Sequence, residues 1–146
     1  MALTKEEIRK EIADALKKKE KVRADTLRML LSAVQYQEMQ KKVDNLSEAE
    51  VLKIVQNEVK KREESISFAK EGGREDLVQT LKEEIKVLTA FLPQQLSDEE
   101  LQEVIKNFCQ KNQGAKIGDV MRFLSQEYAG RFDGRKASSI AREILG

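Results

Sequence analysis

The stretch Leu88–Glu100, LTAFLPQQLSDEE, decides how the chain is divided. An apolar helical pattern runs into this stretch and must end before Pro93, because a proline ring disfavours helical geometry in the preceding residue. Further on, Ser97 and Glu100 have the spacing of a capping box, which begins a new helix. The stretch therefore predicts three parts: an N-terminal domain (1–92), a connector (93–96) and a C-terminal domain (97–146).

The N-terminal domain has the pattern of about four amphipathic helices. Thr4 with Glu7, and Ser47 with Glu50, are two more capping boxes, which predict the starts of the first and third helices. Gly72 and the residue after it predict the end of the third helix. The apolar residues that recur at helical spacing, and that we expect to face the core, are Ile8, Ile12 and Leu16; Leu27, Leu30, Leu31, Val34 and Met39; Val51, Ile54, Val55 and Val59; and Leu77, Leu81, Ile85, Leu88 and Leu92.

The C-terminal domain has the pattern of three shorter helices, at about 98–111, 117–128 and 135–145. Gly114 and the turn Gly130–Gly134 separate them. No useful run of alternating apolar and polar residues occurs in the chain, so strands are not expected. The predicted fold class is all-α.

Composition excludes several kinds of chemistry. The 146 residues contain no His and one Cys, which excludes imidazole catalysis, internal disulfides and Cys-based zinc sites. We predict that Cys109, which lies in an apolar helical stripe, is a core residue. No N-terminal apolar segment and no apolar run of about 18 residues occurs, so neither secretion nor a membrane span is predicted. The lone thiol fits a cytoplasmic location.

The acidic residues do not form a recognisable catalytic or metal site. Pairs such as Glu63-Glu64 and Glu83-Glu84 are adjacent in helices and so do not face each other. No calcium loop and no phosphate-binding loop is present. We therefore expect solvated helix faces, with no catalytic residue, no metal and no cofactor.

Two clusters of basic residues remain. Lys60-Lys61-Arg62 lies among glutamates, which predicts a salt-bridged surface. From Lys116 to Arg142 the chain has six basic and three acidic residues, and three of the cations lie around the Gly130–Gly134 turn, where backbone N–H groups at a helix start would favour an anion. The candidate nucleic-acid-binding residues are Lys116, Arg122, Gly130, Arg131, Arg135, Lys136 and Arg142. The alternative is that Arg135 and Lys136 only keep the domain soluble.

Several segments together resemble the YqeY-like family. They follow one another along nearly the whole chain: DTLRMLLSAVQYQE (25–38), EVKKREES (58–65), GREDL (73–77), EEIKVL (83–88), FLPQQL (91–96), IGDVM (117–121) and GRFDG (130–134). The resemblance implies a helical domain followed by a three-helix domain. It also implies kinship with the tail of the B subunit of glutamyl/aspartyl-tRNA amidotransferase, a region that contacts tRNA.

The tail of that subunit has Gly-Lys-Ala-Asn-Pro where this chain has Gly130–Gly134. Gly130 and the basic Arg131 match, whereas Phe132 and Asp133 depart from the pattern. Asp133 is acidic, which disfavours a phosphate contact, and it is also a candidate cap for the last helix.

The leading functional hypothesis is an accessory protein that binds tRNA or another structured RNA through the C-terminal domain. One alternative is carbon–nitrogen ligase activity with glutamine as the amide donor, which the family resemblance implies and which would need an amidotransferase or other protein partner. The other alternative is a protein-interaction scaffold built on the long N-terminal helices, which an exposed apolar stripe would favour. The sequence does not predict the oligomeric state.

Overall fold

The computed structural model describes residues 3–146, and this part of the chain is folded into α-helices without any strand. The seven helices are α1 (Lys5–Lys17), α2 (Lys21–Lys41), α3 (Glu48–Glu71), α4 (Glu75–Thr89), α5 (Asp98–Lys111), α6 (Ile117–Glu127) and α7 (Gly134–Leu145). The all-α prediction is confirmed.

Short polar side chains begin several of these helices. The Ser47 and Ser97 hydroxyls each accept a hydrogen bond from the backbone N–H three residues on. The glutamate side chain at that position accepts one from the backbone N–H of the serine, so complete capping boxes begin α3 and α5. Thr4 accepts from the Glu7 N–H at 3.2 Å and starts α1. Asp133 caps α7. The predicted capping residues are confirmed, but of the three predicted capping boxes only those of Ser47 and Ser97 are complete, since at Thr4 only the threonine side chain accepts a hydrogen bond.

The chain divides into two compact units, one ending at Leu92 and the other Pro93–Gly146. In the N-terminal unit, α1 packs on α2, and α4 packs on both α2 and α3. Its apolar core is Leu3, Ile8, Leu27, Leu30, Val34, Val51, Leu52, Val55 and Leu88. A smaller cluster of Ala69, Val78 and Leu81 fills the space between α3 and α4 near the Gly72 turn.

Three predicted core residues of the N-terminal unit face solvent instead. Met39 is 71% exposed, Leu16 is 49% exposed and Leu77 is 37% exposed. In each case the adjacent residue of the same helix is buried instead, Ala15, Glu38 or Val78, so the core-facing stripe passes through that position. Extending the apolar spacing to the ends of these helices therefore predicted the wrong helix face for the three residues.

The N-terminal unit also buries polar groups. Thr26, Glu38, Glu58 and Arg62 are all at most 8% exposed. Lys5 on α1 reaches Glu38 on α2 with Nζ and Oε1 3.0 Å apart, and the same ammonium donates to the Asp44 carbonyl at 2.9 Å. This pairing ties the start of α1 to the end of α2.

The C-terminal unit has an apolar core. Leu101 and Ile105 of α5, Val120 and Leu124 of α6, and Ala137 and Ala141 of α7 are its buried residues. The two alanines let α7 approach α5 and α6 closely, because they add little side-chain volume between the helices. Phe108 stacks on Phe123 with ring centroids 4.5 Å apart at the edge of the core. Cys109 is half-buried against the same core, and burial raises the pKa of its thiol.

Candidate nucleic-acid interface

The Gly130–Gly134 turn is bonded to the connector that precedes α5. Gly130 has a φ of +74°, which a glycine adopts without steric cost, and its carbonyl accepts a hydrogen bond from the Gln95 side-chain amide at 2.6 Å. The backbone N–H of Leu96 donates to the Arg131 carbonyl at 2.8 Å. The turn and residues 93–96 therefore form one hydrogen-bonded corner of the C-terminal unit.

Arg131, one of the candidate nucleic-acid-binding residues, belongs to this corner. Its Nε donates to the Gln94 carbonyl at 2.8 Å, and its guanidinium carbon lies 5.4 Å from the centroid of the Tyr128 ring, within cation–π range. Its charge also helps to lower the pKa of Glu100, whose main cause is the hydrogen bond from the Ser97 N–H. Arg131 is half-buried and holds the connector in place.

The sequence predicts that backbone N–H groups at the start of α7 favour an anion, but two of these groups are already bonded within the protein. The Asp133 carboxylate accepts from the N–H of Arg135 at 2.8 Å and from that of Lys136 at 3.4 Å. The protein's own carboxylate therefore occupies the position where a phosphate oxygen would bind. Gly130 is buried as well. Neither Gly130 nor the N–H groups of Arg135 and Lys136 therefore present an anion-binding surface.

Three of the other candidate cations lie next to an acid. Arg122 pairs with Asp119 at 3.3 Å, and Lys116 lies close to the same carboxylate, which also accepts from the Lys116 backbone N–H at 2.9 Å. These contacts lower the pKa of Asp119, the backbone hydrogen bond being the largest cause. Lys136 pairs with Asp98 of α5 at 3.2 Å.

Arg135 and Arg142 differ from the rest. Both side chains are exposed, and within residues 3–146 neither forms an ion pair. They are seven positions apart on α7, so they lie on one face of the helix about 10 Å apart along its axis. The structure thus leaves two of the predicted cations on one exposed face without an acidic partner.

Sequence reasoning missed a buried charge cluster in the N-terminal unit. Arg62, predicted to lie on a salt-bridged surface, is 5% exposed. Its Nη1 donates to Glu58 Oε1 at 2.9 Å and to the Glu58 carbonyl at 3.0 Å, and its Nε donates to Glu84 Oε1 of α4 at 2.8 Å. Glu58 and Arg62 continue the apolar stripe of Val51 and Val55 at helical spacing, and that position was the signal for their burial.

Within the described residues, no three acidic or thiol side chains converge to hold a metal ion. None of the helices described combines the length and the low polarity needed to cross a bilayer. The carboxylates of Glu58 and Glu84 are both bound to Arg62 and have a structural role.

The fold and the site together define an all-helical protein of two compact units, with Arg135 and Arg142 exposed on the last helix. A family model described as "Yqey-like protein" matches residues 5–145, nearly the whole chain. The protein therefore belongs to the YqeY-like family, and the resemblance predicted from the sequence is confirmed. An uncharacterized protein of Schizosaccharomyces pombe is 31% identical over 91 residues, which cover 62% of this chain and 73% of that protein.

Proposed function

We propose that this YqeY-like protein is an accessory protein that binds structured RNA, tRNA above all, through α7 of the C-terminal unit. The observation that supports the proposal is the pair of exposed arginines, Arg135 and Arg142, on one face of α7 without acidic partners. A guanidinium group is always charged and its planar fork matches the oxygens of a phosphate.

Contacts of this kind recognise the shape of an RNA through its phosphate backbone and do not specify bases. Lys116, Arg122 and Lys136 each have an acidic neighbour, so a phosphate would compete with that carboxylate for them. Arg131 is held by the connector and contributes to the architecture of the corner. The binding is therefore expected to be weak, backbone-directed and sensitive to salt.

The test is a fluorescence anisotropy titration of labelled tRNA with the full chain at low salt, repeated over a series of salt concentrations. If Arg135 and Arg142 alone contact phosphates, the slope of log K against log salt is about −1.4 to −1.8, and each further cation adds about 0.7–0.9 to its magnitude. A slope of zero, or no binding at low salt, contradicts the proposal.

The variant Arg135→Glu/Arg142→Glu should weaken tRNA binding by at least about tenfold, since each lost phosphate contact removes counterion release. Lys106→Glu/Lys111→Glu on α5 is the matched control, because it makes the same change in charge at exposed positions of the same unit. Equal losses in the two variants would show that only net charge matters and would reject the α7 site. Circular dichroism confirms that both variants remain helical.

A further inference from the structure

The C-terminal unit has an open pocket where the end of α5 meets one side of α6. The pocket has a volume of about 500 Å³, and its lining residues all belong to this unit. The side chains of α6 that line it recur at i, i+3, i+4 and i+7, and so share one side of the helix: Asp119, Arg122, Phe123 and Gln126. The rest of the described lining comes from α5 and from the loop between the two helices. The pocket is therefore separate from the arginines of α7.

Two aromatic side chains line this pocket. Phe108 of α5 and Phe123 of α6 stack on each other, with ring centroids 4.5 Å apart and an angle of 23° between the ring planes. Both side chains are half-buried, because they pack against the core of the unit and also contribute surface to the pocket. Exposed aromatic surface in a pocket is a stacking site for a nucleobase, which is itself a flat ring.

Three exposed carboxamides line the same pocket: Asn112, Gln113 and Gln126. The Asn112 amide donates to the Phe108 carbonyl at 2.9 Å, which orients its side chain, while its Oδ1 accepts no hydrogen bond from residues 3–146. The side chains of Gln113 and Gln126 form no hydrogen bond within the same range. A carboxamide presents a donor and an acceptor side by side, and this pattern matches the edge of a nucleobase.

The charges of the lining balance. Among its described residues, Asp119 is the one acid and Arg122 the one base, and the two are paired at 3.3 Å. The Asp119 carboxylate also accepts from the Lys116 backbone N–H at 2.9 Å. A phosphate would need unpaired cations, and an apolar side chain would cover the carboxamides without bonding to them. The lining therefore fits a neutral, planar group that forms hydrogen bonds along its edge.

We propose that this pocket, the base pocket, binds one unpaired base of an RNA strand, stacked on the Phe108–Phe123 pair and hydrogen-bonded to the carboxamides. The inference rests on the proposed function, in which α7 contacts the phosphates of the same RNA. Proteins commonly recognise RNA through unpaired bases of loops and bulges, which stack on aromatic rings and bond through their edges. Phosphate contacts alone do not distinguish paired from unpaired nucleotides, so the base pocket would give the protein a preference for RNA with a loop.

The experiment compares two labelled RNAs with the same number of phosphates, a hairpin with an unpaired loop and a fully paired duplex. Each is titrated with the full chain at low salt and followed by fluorescence anisotropy. The hairpin should bind at least about fivefold more tightly, which is the lower end of the effect of one stacked base. Equal affinities overturn the base pocket and leave the RNA proposal standing, whereas a failure of both RNAs to bind contradicts the RNA proposal itself. The two failures are therefore distinguishable.

Two further ligands separate the base from its surroundings. A hairpin whose loop consists of abasic nucleotides keeps the phosphates and the single strand, and its affinity should fall to that of the duplex. If it binds as tightly as the original hairpin, the loop backbone is recognised and the proposal is wrong. Free nucleosides are titrated as well, and binding of a nucleoside as tight as that of the hairpin would assign the pocket to a small molecule and overturn the RNA base as its ligand.

The variant Gln113→Ala/Gln126→Ala tests the carboxamides without touching the core. It should weaken hairpin binding by at least about threefold, since two hydrogen bonds are lost, and should leave duplex binding unchanged. Gln102→Ala/Gln110→Ala is the matched control, because it makes the same change at exposed positions of α5 outside the lining. A loss of hairpin affinity as large in the control as in the test variant would reject the site.

The variant Phe108→Leu tests the stacking surface, because leucine keeps an apolar side chain against the core but removes the ring. It should abolish the preference for the hairpin while duplex binding stays the same, and circular dichroism checks that the variant is folded. The α7 variant Arg135→Glu/Arg142→Glu should instead weaken the binding of both RNAs by the same factor. A Phe108→Leu variant that is folded and still prefers the hairpin overturns the proposal.

Discussion

The two units of the molecule place their charged groups differently. The N-terminal unit buries Glu38, Glu58 and Arg62 among its apolar side chains, whereas the buried core of the C-terminal unit consists of apolar residues. Charges buried in a core must be paired, and their geometry restricts how the helices can align. In the C-terminal unit the buried core contains no charged residue, and Arg135 and Arg142 lie exposed on α7 without an acidic partner.

The largest expected effect is on the buried cluster of the N-terminal unit. Arg62→Ala leaves the Glu84 carboxylate without its arginine and the Glu58 carboxylate with Lys61 alone, and breaking a buried pair in this way costs about 3–5 kcal/mol. Unfolding in urea measures the loss in the free energy of unfolding, and hydrogen exchange of the α3 and α4 amides shows where stability is lost. A decrease below about 1 kcal/mol would show that water replaces the guanidinium.

The triple variant Glu58→Leu/Arg62→Met/Glu84→Leu is the control for this prediction. Replacing a whole buried ion cluster with apolar residues of similar size is often neutral, so we expect it to recover most of the stability that Arg62→Ala loses. If the triple variant is as unstable as Arg62→Ala, the cost lies in packing around residue 62 and the charges are not its cause.

The next largest effect is a loss of stability in the C-terminal unit alone. Ile105→Ala removes a fully buried side chain from the C-terminal core and should destabilise that unit by about 2–5 kcal/mol. Because its contacts lie within the core of Pro93–Gly146, amide protons of α5–α7 should lose protection while those of α1–α4 keep theirs. Equal loss of protection in all seven helices would show that the units unfold together.

The smallest effect concerns the surface contact between α2 and α3. The Lys41 ammonium, with further hydrogen bonds from Ser47, lowers the pKa of Glu50 to about 2. A carboxyl whose pKa falls on folding stabilises the protein above its unfolded pKa, near 4.3, and this contribution is lost as the pH falls toward 2. Because the Glu50 side chain is 36% exposed, solvent screens the pair and we expect only about 1 kcal/mol.

The test of this effect is Glu50→Gln, compared with the original chain by thermal unfolding at several pH values. The variant should be less stable at pH 7, and the difference should shrink steadily between pH 5 and pH 2 as Glu50 takes up its proton. The glutamine amide oxygen can still accept the capping hydrogen bonds from Ser47, so a difference that does not depend on pH would show that the charge on Glu50 is not its cause.

The sequence predicted the starts of α1, α3, α5 and α7 well because they depend on local chemistry. Ser47, Ser97 and Asp133 each satisfy N–H groups two or three residues away, so neighbouring residues alone indicate where a helix begins. Two helix ends gave no such signal. Lys19 and Lys42 adopt left-handed backbone conformations, with φ of +58°, in positions where glycine is usual.

The candidate site was less predictable because it depends on contacts between segments. Composition identified a basic region, but the pairing of Lys136 with Asp98 and the bonding of Arg131 to the connector link residues more than 35 positions apart. The pairing of Arg62 with Glu84 likewise joins two different helices. Charge counts along a chain include every cation and cannot distinguish a paired side chain from an available one.

The Asp133 cap has a consequence for the direction from which an anion can approach. Since this carboxylate covers the leading end of α7, a negatively charged strand is repelled from that end, while Arg135 and Arg142 attract it along the flank. An RNA strand bound as proposed would therefore lie alongside α7, parallel to its axis, and would not contact the N-terminal end of the helix.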